Sequence, residues 1–494
     1  MAAIRSLAKE TIIYGLSYSL GRVVNFLLVT FYLTHYVFTA KDGTLSIYQD
    51  IYFYIGLLLG VLTLRMETTL FRFTDQNQDS NHLYALLSQL VMLTCLVFLV
   101  VVMAGRAPLV QFLQYPAAYT NSLLLAALIL VFDVLSSLPF ARLRYEKKSI
   151  RYAWIKLSGI AINILLVLGA FAIYFSNAEI QMMPSADKIF YVLAANAASS
   201  FLTLLFLFPE IKNSFLKADW SRTGNILRYA WPLILMTLVY TVIQNGYTSF
   251  LKYLLPGTKA ENLSSSDDLV AVVRLAVIMN IFITAFNYAA EPFFFRHMNS
   301  GNARQTYARL NLFFVIACGF IYIMTCLNAD LVSYLVGKSF RTSLYLLPVF
   351  LMANIFAGIF TNMSSWYKLS DRTGQAALIS LAGFVLNLLL FVLLVPKFGK
   401  DCSAWISLVV YFAMTALSYL QGQKHFPIPY ETGRTLIYLV GSVLIVQLTT
   451  YVFDFISNQL ILKLAISCVI GLIYLVLIYK IEWPRMMEGE RADQ

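Results

Sequence analysis

Apolar runs of twenty or more residues recur from one end of this chain to the other. Each is long enough to cross a hydrocarbon layer of about 30 Å as a helix. In lipid every backbone polar group must be satisfied internally, so continuous runs of this length specify spanning helices. Fourteen are expected, near 10–37, 46–73, 82–104, 119–141, 150–175, 187–209, 226–254, 267–296, 305–328, 342–368, 374–396, 402–422, 433–455 and 459–481. The alternative, a soluble chain with an outsized core, fails on composition. The chain is 60% hydrophobic and 12% charged, with a mean hydropathy of +0.72, whereas ordinary soluble domains carry about 25% charged residues. The first run is too long for a signal peptide and ends in no small-residue cleavage site, so it is expected to be retained.

Lys and Arg set the orientation, since they concentrate on the cytoplasmic side of short connections. With a cytoplasmic N-terminus that side receives 23 of them and the opposite side 10, leaving Arg22, Arg65 and Arg274 inside spans. Both termini are therefore expected in the cytoplasm. The net charge of +11 follows from this topology and calls for no nucleic-acid partner. The five cysteines lack paired-ligand spacing and read as small hydrophobes. The four histidines sit at span ends on different connections, so no metal site and no cofactor are expected. The connections are also too short to house the catalytic carboxylates of a membrane enzyme.

The sequence repeats itself at an offset of 224 residues. Glu67 to Arg72 falls on Glu291 to Arg296, both reading E-x-x-x-F-R, while Arg144 falls on Lys368, Gly159 on Gly383 and Asn163 on Asn387. Six spans fit within that offset, so corresponding spans run the same way through the membrane. The expected architecture is all-α: a six-helix bundle over 1–217, a parallel-related bundle over 218–424, and an added helix pair with a tail over 425–494. Parallel halves commonly enclose a substrate site between them, with alternating access as one half rocks against the other.

Two six-helix bundles plus two helices, a basic "RFTDQ" end to span two and "LPFARLRYEKKSIRYAWIKLSGIAIN" across the fourth connection together resemble the polysaccharide-transporter (Wzx-like) branch of the multidrug/oligosaccharidyl-lipid/polysaccharide (MOP) exporter superfamily. The resemblance covers essentially the whole chain. It implies a flippase of the bacterial inner membrane that carries undecaprenyl-diphosphate-linked oligosaccharide from the cytoplasmic to the periplasmic leaflet. Its expected partners are that polyprenyl-diphosphate-linked glycan, membrane lipid and other polysaccharide-assembly proteins, and helices 13 and 14 would offer a groove for the lipid tail. A multidrug exporter of the same superfamily and a membrane enzyme of polysaccharide assembly are the rival readings.

Arg22, thirteen residues after Lys9, stands roughly 20 Å along the first helix, near mid-membrane. An arginine facing lipid there is costly, so it should face the bundle interior, a partner or water. Resemblance to a flippase with a cationic cavity assigns Arg22, Arg65 and Arg274 to the diphosphate, which a guanidinium can grip with a bidentate fork. The competing role for each is an ion pair that holds helices together, and Arg274 could also snorkel. On a continuous helix Glu67 points about 200° from Arg65 and about 140° from Arg72. Structural clasps are expected instead, Glu67 with a basic residue near Arg144 and Glu291 with one near Lys368. Asp133 and Lys156 are candidates for ion coupling, against a simple interhelical hydrogen bond. Pro232, Pro292 and Pro348 mark helices that could bend.

Overall fold

The computed structural model describes residues 20–21, 23–74, 80–297, 303–363, 367, 373–455 and 460–492 of the chain. Among these residues there is no strand. Thirteen helices are long and apolar enough to cross a bilayer, and a shorter apolar helix, Val23–Val37, precedes them. The chain is an all-α, multi-pass membrane protein. We call the end of the helices that carries the Lys/Arg-rich connections the basic end.

The chain forms two compact units, residues 1–271 with 380–403 and residues 272–379 with 404–494. The first unit contains α1 (Thr44–Leu62), α2 (Met66–Thr74), α3 (Ser80–Ala104), α4 (Thr120–Tyr145), α5 (Ser149–Leu168), α6 (Ser185–Phe206), α7 (Thr223–Asn245), α8 (Tyr247–Leu254) and α9 (Lys259–Ser265). It also holds the first turn of α10 (Asp267–His297) and much of α13, introduced below. Within it α4 is the central helix, lying along α6 and touching α1 and α3. Leu130, Val134, Leu138 and Ala141 are buried on α4 at helical spacing, which gives it an inward stripe. In lipid, helices gain from close backbone approach rather than from the hydrophobic effect. Accordingly α5 meets α6 at Gly159, where a Cβ would overlap Thr203 Oγ1, and Ser199 Oγ donates to the Gly159 carbonyl at 2.6 Å.

The second unit holds the rest of α10, α11 (Ala303–Leu327), α12 (Leu347–Met363), α14 (Cys402–His425), α15 (Thr432–Phe455) and α16 (Leu460–Ala492), while α13 (Thr373–Phe398) runs from one unit into the other. Here α11 is central and packs against α12, α15 and α16. Small residues again set the contact. A Cβ on Gly319 would stand 2.7 Å from Ser442 Oγ of α15 and 2.8 Å from Tyr474 OH of α16. The added pair α15 and α16 is stitched by Glu482, which accepts from Arg434 and Tyr438. Glu482 is only 4% exposed, and Arg434 also pairs with Glu431.

Two expectations about helix shape need correction. Pro232 lies inside α7, but Pro348 stands in the first turn of α12, where its missing N–H costs no intrahelical bond and causes no kink. Pro292 has no described side chain. More important, span two is not continuous. Its helix stops at Leu62, passes through a turn at Thr63–Arg65 and restarts at Met66.

Candidate functional site

The break in span two is built from two consecutive left-handed residues, Leu64 (φ 48°) and Arg65 (φ 53°). Side chains with a Cβ pay roughly 1–2 kcal/mol each for that conformation, so surrounding contacts must hold it. They are visible on both sides of the turn. Thr63 donates its amide (3.1 Å) and its hydroxyl (2.8 Å) to the Leu59 carbonyl. Leu64 N reaches Val61 O at 3.0 Å, Met66 N reaches Thr63 O at 2.9 Å, and Thr94 of α3 donates its hydroxyl to Leu62 O at 2.9 Å. The freed backbone groups are thus largely satisfied, as any irregular segment at membrane depth must be.

Below the break α2 is fixed from two directions. Glu67 Oε2 accepts from Arg144 Nη2 of α4 at 2.7 Å, both side chains being about a third exposed. Arg72 sets its guanidinium 4.8 Å from the centre of the Tyr229 ring of α7, a cation–π contact. The helical angles computed for a continuous span do not apply across Leu64–Arg65, because the azimuth is reset there. Glu67 and Arg144 meet even so, since both lie below the break on neighbouring helices. Glu291 and Lys368, the other proposed clasp, have side chains outside the described residues, and so does Arg22.

Arg65 is half-buried at the turn itself, and its Nε is buried with no hydrogen-bond partner among the described residues. It stands immediately before the first turn of α2, where Thr63 O takes the Met66 amide and Arg65 O takes those of Thr68 and Thr69, so what the half-helix offers there is the positive end of its dipole. Arg274 lies on α10 in the second unit, with its Nε buried.

A second polar locus lies in the first unit. Asp133 of α4 leaves part of its surface uncovered by protein while its carboxyl is densely surrounded, and by sequence it stands in the middle of a spanning helix. Ser200 of α6 is its hydrogen-bonding neighbour, and Lys156 of α5 acts on it electrostatically. Lys156 Nζ also stands 5.3 Å from the Phe140 ring centre. Tyr52 of α1 accepts from Asn196 of α6 and stacks near Tyr48, with ring centres 4.6 Å apart. A carboxylate with a cation nearby and hydroxyls around it can bind a cation or take up a proton.

The third locus was missed in the sequence. Lys188 and Lys252 count there as loop cations, yet both are almost fully buried, at 2% and 0% exposure. Lys252 pairs with Asp50 at 3.2 Å inside the protein. The offset of 224 residues carried a signal for this, because it sets Asp50 against Arg274, an unlike charge where repeats normally match.

The arrangement of helices decides the family of folds. An inward-facing multidrug resistance MATE family transporter of the MOP superfamily superposes with a TM-score of 0.62 at 11% identity, covering 86% of this chain and 95% of that one. The lipid II flippase MurJ, in an inward closed conformation, gives 0.61 at 14% identity, covering 95% and 99%. This is the fold of the MOP transporters. The Vibrio cholerae MATE transporter VcmN in its bent form shares the MOP fold at a TM-score of 0.52 and 15% identity, covering 90% and 100%. No protein-family model and no curated protein matches the sequence. With identities this low the likeness concerns the MOP fold and leaves substrate open.

Proposed function

We propose that this chain is a flippase of the bacterial inner membrane, with both termini cytoplasmic. In this reading it moves a polyprenyl-diphosphate-linked oligosaccharide from the cytoplasmic to the periplasmic leaflet by alternating access, for cell-surface polysaccharide assembly. The observation that carries the reading is the broken span two. It sets a guanidinium with an unpartnered Nε beside the amino end of a half-helix within a spanning segment. Discontinuous helices in transporters present such positive ends to anionic substrate groups, and a diphosphate suits a fixed planar fork. Arg22 and Arg274 are proposed as further cations for the diphosphate, the bundles are proposed as residues 1–217 and 218–424, and helices α15 and α16 would flank the lipid tail. The expected partners are the glycan lipid and the assembly proteins that make and consume it.

One observation favours a second reading, multidrug export. Asp133 is a carboxylate inside a span with Lys156 acting on it, the kind of group that attracts cationic compounds. Deleting the gene and analysing lipid-linked glycans separates the two. Accumulation of a polyprenyl-diphosphate glycan on the cytoplasmic side, relieved by the native gene but not by Arg65→Ala, supports the flippase. Unchanged glycan lipids together with a new sensitivity to cationic dyes would replace it by the exporter.

A further inference from the structure

The Asp50 carboxylate of α1 is completely buried and collects four donors from two other parts of the first unit. Lys252 Nζ of α8 approaches Oδ2 at 3.2 Å, and Tyr115 OH donates to the same oxygen. Ser249 and Thr248 of α8 offer their hydroxyls to Oδ1, the latter at 3.5 Å. The Lys252 ammonium lies 3.6 Å from the centre of the Tyr115 ring and 5.3 Å from that of Tyr253. Lys259 is a further cation that acts on it, and Ser249 also bonds Tyr54 OH at 3.3 Å. These are the charged and titratable groups around the pair.

Such a network is a poor way to gain stability. Replacing a buried pair with well-packed apolar residues is often neutral or stabilising, whereas removing one partner strands a charge. A device that must open and close has a use for that asymmetry. The geometry supplies the rest. Asp50 belongs to the first repeat and Lys252 to the second, and both stand at the end of the helices opposite the basic one. Helix α8 is a separate eight-residue piece joined to α7 at Gly246, where a Cβ would lie 2.6 Å from the Val242 carbonyl. The joint therefore tolerates no side chain, and hydrogen bonds from Gly246 N to Val242 O at 2.9 Å and from Phe250 N to Gly246 O at 3.0 Å carry α7 into α8 without a gap.

We propose that Asp50 and Lys252 form a charge latch between the repeats, and that its release, with α8 moving together with the end of α7, opens the substrate path at the end opposite the basic loops. This rests on the reading of the chain as an alternating-access transporter, whatever its substrate.

A labelling experiment tests it. In a variant lacking the five cysteines, Tyr54→Cys places a reporter one helical turn below Asp50, and a membrane-impermeant maleimide is applied from the face opposite the basic loops. Lys252→Met is expected to raise the labelling rate roughly tenfold or more, the change in open population that loss of a closing contact produces. The exchanged pair Asp50→Lys with Lys252→Asp is expected to return it to within about twofold of the parent. Should Lys252→Met not fold, Asp50→Asn, which keeps the shape and drops the charge, carries the same expectation. Equal labelling in parent and single variants overturns the latch, and so does an exchanged pair that labels as fast as the single variants. The labelling needs no substrate, so a glycan-lipid assay that fails while the latch behaves as expected removes the flippase reading alone.

Discussion

The Gly43 amide donates a 2.9 Å hydrogen bond to Oδ2 of Asp267, the residue that stands 224 positions further along the chain. The sequence offset of 224 residues sets these two positions against each other, and in the structure they touch within the first unit, at the end opposite the basic loops. Asp267 does more than touch Gly43. Its Oδ1 accepts from Ser46 N at 2.8 Å, so a side chain from the second repeat caps the first turn of α1 from the first. Ser264 Oγ closes the same junction on the Lys41 carbonyl.

Asp267→Ala therefore removes an N-terminal cap and leaves two buried amides unpaired. A destabilisation of about 1–2 kcal/mol is expected, read as a lower midpoint of thermal unfolding in detergent. Asp267→Asn, which keeps an acceptor, should recover much of the loss.

The Glu67–Arg144 pair is partly solvated, at 39% and 35% exposure, so screening limits it. A double-mutant cycle with Glu67→Gln and Arg144→Met should return a coupling of about 0.2–1 kcal/mol. A coupling of several kcal/mol would mean that the pair is sealed from water in the membrane.

At Gly159 the expected effect is steric. Gly159→Ala pushes a methyl into Thr203 Oγ1, and overpacking of this kind costs about 1–3 kcal/mol. Thr203→Ala removes the obstructing atom, so the double variant should unfold nearer the parent's temperature than Gly159→Ala does.

Arg65→Ala and Arg72→Ala should separate in complementation assays. Arg72 already spends its charge on the Tyr229 ring, whereas Arg65 keeps a buried Nε without a partner. On the proposed flippase reading, loss of complementation is expected for Arg65→Ala, with partial retention by Arg72→Ala. Arg65→Lys should fall between parent and Arg65→Ala, because it keeps the charge and loses the fork.

The spans were legible because lipid allows long apolar runs one shape. The compact units do not divide at 217, where the repeat sets its boundary, because residues 218–271 pack with the first unit. The break at Leu64–Arg65 was not legible. "TLRMETT" contains neither glycine nor proline, and nothing local asks these residues to turn left-handed; contacts such as Thr94 to Leu62 O do so from another helix. Asp50 and Lys252 stayed hidden for a related reason. Asp50 drew no reading and Lys252 counted as a loop cation, and only tertiary packing brings them together out of water.

The joint at Leu64–Arg65 also has a mechanical side. The upper segment of span two is bolted to its surroundings through Asp267 and Asp50, the lower one through Arg144 and Tyr229. A rod clamped at both ends would transmit every twist along its length. This one is interrupted in the middle, so each half takes its azimuth from its own clamp, and Arg65 sits on the interruption itself.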